Sequence, residues 1–227
     1  LARFQRGSTQ VPPAEQSGEE YLAQLKTALA GLDLAEAAER TGGTYAAGRL
    51  TLKILGKDFS VDAAGNLYAD IHVNPWVAVP FLNHILNGTG TVPIGEWVSF
   101  RELKDGKERY PLFQKRCEDV MKQVADTYID LFDDMVHLFG GKQVERQFES
   151  DVSVVLHPLP RIPMMVCYWR PEDGMASSLN LFFDRTADQN IDNGSIFSIG
   201  TGMAQMFTKL ALRHGFSWEN SSGRNMD

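Results

Sequence analysis

The stretch HPLPRIPMMVCYWRPEDG, His157–Gly174, decides how the second half of the chain folds. Pro158, Pro160 and Pro163 lack backbone donors, so they suit a strand edge or the run-in to a strand, not a central ladder position. From Pro163 to Trp169 the residues are apolar and suit a buried strand, and the PEDG turn closes it. On either side the same period of two recurs. Val152, Val154 and Leu156 read as one strand. Leu179, Leu181 and Phe183 alternate with Ser178, Asn180 and Phe182 as another. A three-stranded antiparallel unit follows.

Working towards the N-terminus, a second meander appears. Leu50, Leu52 and Ile54 alternate with Thr51 and Lys53, Gly56-Lys57 fits a two-residue turn with glycine first, and Phe59 and Val61 resume the alternation. Ala69, Ile71 and Val73 read as a third strand. Helices are expected at Glu19–Leu29, after Asp33 in DLAEAAER with Gly42 and Gly43 as its stop, and from Pro75 to Gly88, where Pro80 warns of a kink. The apolar stripe from Pro111 or Phe113 to Phe139 predicts the longest helix of the chain. A last helix spans about Ile196 to His214, capped by Asn193 or Ser195. Its Gly200 and Gly202, in GTG, read as close helix packing, because the third glycine and the GK[ST] ending of a phosphate loop are missing.

The expected class is therefore α+β: two small, mostly antiparallel sheets with packed helices, in one compact unit or two closely joined lobes. The expected organisation is a flexible arm at 1–18, an N-terminal lobe at 19–141, a C-terminal lobe at 142–215 and a tail at 216–227. The net charge of -7 and pI of about 5.3 argue against nonspecific nucleic-acid or anionic-lipid binding. No apolar run reaches the length of a membrane span. Cys117 and Cys167 form no CxxC pair, so a reducing cytoplasm is expected and an iron–sulfur cluster held within this chain is not.

Candidate chemistry is sparse. Arg161, amid apolar and proline neighbours, needs its charge answered: by Asp184 or Asp173 in a structural pair, or by an anionic ligand. Trp97, Arg101, His157, Arg161 and Trp169 are the expected lining of a cofactor pocket between the lobes. Asp126, Asp130, Asp133 and His137 fall on one side of the predicted long helix and could hold a divalent metal, although carboxylates near a helix C-terminus oppose its dipole. The five histidines form no close ligand spacing. His84, among apolar neighbours, suits either a packed core position or the axial ligand of a haem-like ring. Cys167 reads as a buried inert thiol. Cys117, at the start of the long helix, is where a thiol pKa could be lowered.

TGGTYAAGRLTLKILGKDFSVD, GEWVSFREL, HPLPRIPMMVCYW and SLNLFFDRTAD together resemble the family DUF3786, over about Tyr21 to Leu212. The resemblance implies no established activity. It suggests an anaerobe's cytoplasm, near corrinoid or other redox-cofactor metabolism. Some family members carry a cysteine-rich iron–sulfur domain, whereas the arm before Tyr21 has no cysteine. The function expected is a noncatalytic cofactor-binding or accessory domain for a tetrapyrrole-like or other anionic cofactor. The alternatives are a metal-dependent enzyme using the acidic helix, or a module docking an iron–sulfur or corrinoid-related partner protein.

Overall fold

The computed structural model describes residues 18–70 and 74–215. The expected arm up to Ser17, the tail at 216–227, and Ile71 and Val73 of the expected third strand lie outside the described residues. The fold is α+β, built on two antiparallel sheets. Helices α1 (Gly18–Ala28) and α2 (Leu34–Thr41) lead into a meander of β1 (Thr44–Ala46), β2 (Arg49–Ile54), β3 (Lys57–Asp62) and β4 (Leu67–Ala69), in that spatial order. The Asp33 carboxylate accepts from the Ala35 and Glu36 amides and starts α2. Gly42, at φ 78°, stops it. β2 ends at Ile54 and pairs it with Lys57, so the turn is Leu55-Gly56, one residue earlier than the alternation suggests. Both turn residues have positive φ, 48° and 77°, the type I′ geometry that matches strand twist. A leucine there is unusual. It is held because its side chain is buried and its amide donates to the His157 carbonyl at 2.9 Å, tying this hairpin to the other sheet.

Helix α3 (Pro75–Asn87) begins on a proline and runs through Pro80 as one helix. Then come β5 (Trp97–Ser99), a 3-10 turn at Phe100–Glu102, α4 (Gly106–Phe113), a π-helical turn at Gln114–Glu118, α5 (Asp119–Thr127) and α6 (Leu131–His137). The single long helix is thus not formed: Tyr128 is extended at φ -103° and ψ 100°. The dipole objection explains the break. It places Asp133 and Asp134 in the first turn of a new helix, where the N-terminal end favours them, and Asp134 accepts from Tyr128 Oη at 2.6 Å.

The second sheet follows with β6 (Lys142–Gln143), β7 (Val152–Leu159), β8 (Ile162–Trp169) and β9 (Ser178–Asp184). Its spatial order is β5-β9-β8-β7-β6. Leu156 pairs with Met164 and Leu159 with Ile162, with a register shift between. Pro158 and Pro163 lie in that irregular end, where a missing donor breaks no ladder bond. A short helix α7 (Ala187–Asn190) precedes α8 (Asn193–Arg213), whose N-cap is Asp192, one residue before Asn193 and three before Ser195, the two expected caps.

The chain on either side of Gly141 shares one core. β5, from the first part, pairs with β9. One apolar cluster runs from Leu25 through Phe81 and Phe113 to Phe207. Gly202 lets the Trp76 ring of α3 lie against α8, and Gly200 does the same for Phe113, so the GTG motif serves helix packing. A smaller cluster of Val155, Met165 and Cys167 sits on the opposite sheet face. Among the described residues no helix is long and apolar enough to cross a membrane.

Candidate functional site

The five residues expected to line one pocket fall in four places. Trp97 and Trp169 both pack on the outer face of the second sheet, with Phe182 and Val144, but at opposite ends of β9, Trp97 beside Asp184 and Trp169 beside Ser178. Arg101 is exposed on the 3-10 turn, its guanidinium 5.7 Å from the Tyr110 ring. His157 lines a groove of about 610 Å³ with Gly42, Gly43, Lys53, Asp58 and Pro160. Desolvation holds its imidazole below the usual pKa. Lys53 and Asp58 in this groove neutralise each other at 2.8 Å.

Arg161 sits at the β7–β8 turn with its Nε buried and without a hydrogen-bond partner. Neither expected acid answers it among the described residues. Asp184 is buried and spends its oxygens on the Gly95 amide and on the amide and hydroxyl of Thr186. Asp173 lies in the turn after Trp169, at the far end of β8. The Arg161 side chain instead lies against Gly42, the C-cap of α2, where a cation meets the negative end of a helix dipole.

The acidic set does not assemble as a metal site. Asp126 closes α5 and accepts from Tyr168 Oη at 2.8 Å and Lys122 Nζ at 3.0 Å. Asp130 stands at the N-cap of the next helix, which carries Asp133 and His137, and His137 Nδ1 lies 2.8 Å from the Asp133 carbonyl. Among the described residues no group of three or more His, Cys, Asp or Glu could hold a metal ion. His84 is fully buried between the carbonyls of Asn190 and Thr41. Burial and the nearby Arg40 and Arg161 charges lower its pKa to about 4, so it stays neutral. Cys117 is not activated: burial pushes its thiol up to about 12, and Cys167 shifts the same way.

Two arrangements had no clear signal in the sequence. Glu118, in the π-helical turn, is buried and accepts from the Leu181 amide at 2.9 Å and Tyr110 Oη at 3.1 Å. β5 ends opposite Phe182, so Leu181 has no strand partner on that side, and Glu118 covers the open edge. Its burial raises its pKa.

The other arrangement is a cleft of about 390 Å³ between the Leu55-Gly56 turn, the start of α3 and the last turns of α8. Ile54, Leu55 and Val77 form a buried base, with Trp76, Phe139, Met206 and Leu210 as half-buried walls. At the mouth stand exposed Lys57, Lys209 and Arg213. Among the described residues no Asp or Glu lines the cleft, and none of the three cations makes an ion pair. Met206, Lys209, Leu210 and Arg213 recur at the spacing of one helical stripe. The apolar members were readable as core; the cations interleaved with them were the signal for this cleft.

A polar pocket of about 260 Å³ at the start of α8 contrasts with it. There Arg109 donates to Asn193 and Asp188 accepts from the Lys104 amide, so part of its polar lining is answered internally. Convergent groups left without partners mark a binding site better than answered ones do.

No curated protein and no solved structure matches the chain. The family model described as domain of unknown function DUF3786 matches residues 33–206, from the Asp33 cap of α2 to Met206 in the wall of the cleft. The chain therefore belongs to the DUF3786 family.

Proposed function

We propose that this domain is a noncatalytic binding module whose cleft takes an apolar-bodied anionic ligand, a tetrapyrrole-like cofactor being one form of it. The observation that carries the reading is the pairing of an apolar base with Lys57, Lys209 and Arg213 at the rim, in a protein of net charge -7. Clustering unpaired cations costs self-repulsion, which a bound anion would relieve. The cleft volume lies near the lower end of ligand pockets, about 300–1,000 Å³. Among its described lining residues only Met206 carries a soft ligating atom and none is His or Cys. It therefore does not fit a macrocycle held through its metal by imidazole or thiolate. It fits one gripped at its edge through carboxylates.

The cytoplasmic setting of this proposal is supported by the two free, buried thiols. Protein purified without oxygen should show a stoichiometric ligand by native mass spectrometry, or bind metal-free protoporphyrin with a change in its visible spectrum. A bare mass, together with no binding of protoporphyrin or of any smaller apolar anion, sinks the reading.

A further inference from the structure

Resting on this reading of the cleft, we propose that its natural occupant is a slender amphiphile, an alkyl or acyl chain ending in a carboxylate or phosphate, bound with the apolar end inward. Polarity along the cleft is graded. Lys57, Lys209, Arg213 and Gln205 are exposed at the mouth; Trp76, Phe139, Met206 and Leu210 are half-buried, with Asn74 the one polar residue among them; Ile54, Leu55 and Val77 are buried at the base. Beyond the base a void of about 10 Å³ shares Ile54, Leu55, Trp76 and Val77 with the cleft and is closed by Pro80, Pro158, Leu159 and Ile199. Its lining presents only apolar surface. That volume is about one water probe, and the site offers water no side-chain partner. A methyl end suits it; a charged or hydrogen-bonding end does not.

All of the formal charge is at the opposite end, so the ligand's charge belongs on one terminus. The end of α8 carries roughly half a negative charge from its peptide dipoles, which opposes an anion. Three full cations outweigh it. A cleft with an apolar base and its charge at one end suits a chain better than a wide macrocycle.

The test is calorimetric titration of the full chain with decanoate, decyl phosphate, decanol, decylammonium and metal-free protoporphyrin, each kept monomeric. The two anions should bind roughly tenfold tighter than decanol, and decylammonium more weakly still. The tighter of decanoate and decyl phosphate identifies the head group. The double variant Lys209→Gln, Arg213→Gln changes only exposed side chains and should erase the preference. The charge-matched control Lys107→Gln, Lys115→Gln should keep it. Equal affinity for decylammonium and decanoate, or a preference that survives the first double variant, overturns the proposal. Binding of protoporphyrin with no binding of either alkyl anion overturns it while leaving the cofactor reading standing. Binding of none of these probes overturns both.

Discussion

Gly202→Ala puts the packing beneath the cleft to a test of sign. A Cβ at Gly202 would lie 2.0 Å from Trp76 Cδ2, 2.2 Å from Cε3 and 2.4 Å from Cγ. Ordinary carbon contacts fall near 3.5–4.0 Å, so the indole has to retreat by about 1.5 Å or leave its seat. Overpacking of this kind costs about 1–3 kcal/mol, and three ring atoms in conflict place it at the upper end. Alanine recovers about 1 kcal/mol because glycine is a poor residue in a helix interior. The net expectation is a loss of about 2 kcal/mol, read as a lower urea midpoint at unchanged slope. Trp76 emission should shift as well, because the ring forms a wall of the cleft. If Gly202 were only a weak spot in α8, the same substitution would stabilise the protein by about 1 kcal/mol. A midpoint at or above that of the parent would therefore refute the packing argument.

Three further outcomes follow from buried and left-handed positions. The folded-state pKa of His84, about 4, lies below its ordinary 6.5. The unfolded chain thus takes up the proton first, and stability present above pH 6.5 should fall by about 3 kcal/mol as pH drops to 4. His84→Gln, compared with the parent by urea unfolding across that range, should lose this slope; parallel curves would contradict the assignment. Glu118 shifts the other way: burial raises its folded pKa, so its contribution is present below the ordinary carboxylate pKa and is lost as pH rises through the folded value. Glu118→Gln should melt with the parent near pH 4 and above it at pH 8, and the reverse order would refute the buried carboxylate. Gly42→Ala and Gly48→Ala both force alanine to positive φ, at 78° and 76°, but only at Gly42 would the Cβ press on Arg161, 3.2 Å from its Nε. Each should cost about 1 kcal/mol for the backbone, with Gly42→Ala the more destabilised in urea; equal losses would mean that Arg161 yields freely.

Much of the fold is written in the spacing of apolar residues. The alternation at Leu50, Leu52, Ile54, Phe59 and Val61 locates both strands of the first hairpin, because one sheet face is buried and the period of two leaves no other register. It misplaces the turn by one residue because the positive φ at Leu55 is imposed by the second sheet, through the bond to the His157 carbonyl. Local preference does not carry that information. The same limit applies to the predicted long helix. Its apolar stripe continues through Tyr128, and the break there depends on a side-chain bond from Tyr128 to Asp134 and on the relief of an unfavourable dipole. The mismatch of carboxylates with a helix C-terminus was visible in the sequence, and it marked a new helix start, not a metal site.

The cations divide by what lies opposite them, and this is why the site was hard to read. Arg161 looked exceptional because its neighbours in sequence are apolar. In the fold it stands at the C-cap of α2, a position worth about 0.3–1 kcal/mol to a cation. Its Nε is buried unpaired, at a cost of about 1–3 kcal/mol. These terms oppose each other, so Arg161 is a poor candidate for a residue that holds the sheet together. Lys57, Lys209 and Arg213 looked ordinary because each is exposed and two of them end a helix, where basic residues are common. What sets them apart is convergence from two distant segments on one apolar cleft that, among the described residues, contains no carboxylate. Sequence reports a residue's neighbours along the chain, whereas the energy of a charge depends on its neighbours across the fold. The unpaired group that matters here is accordingly the trio at the end of α8 and the first hairpin, and not the arginine in the proline-rich turn.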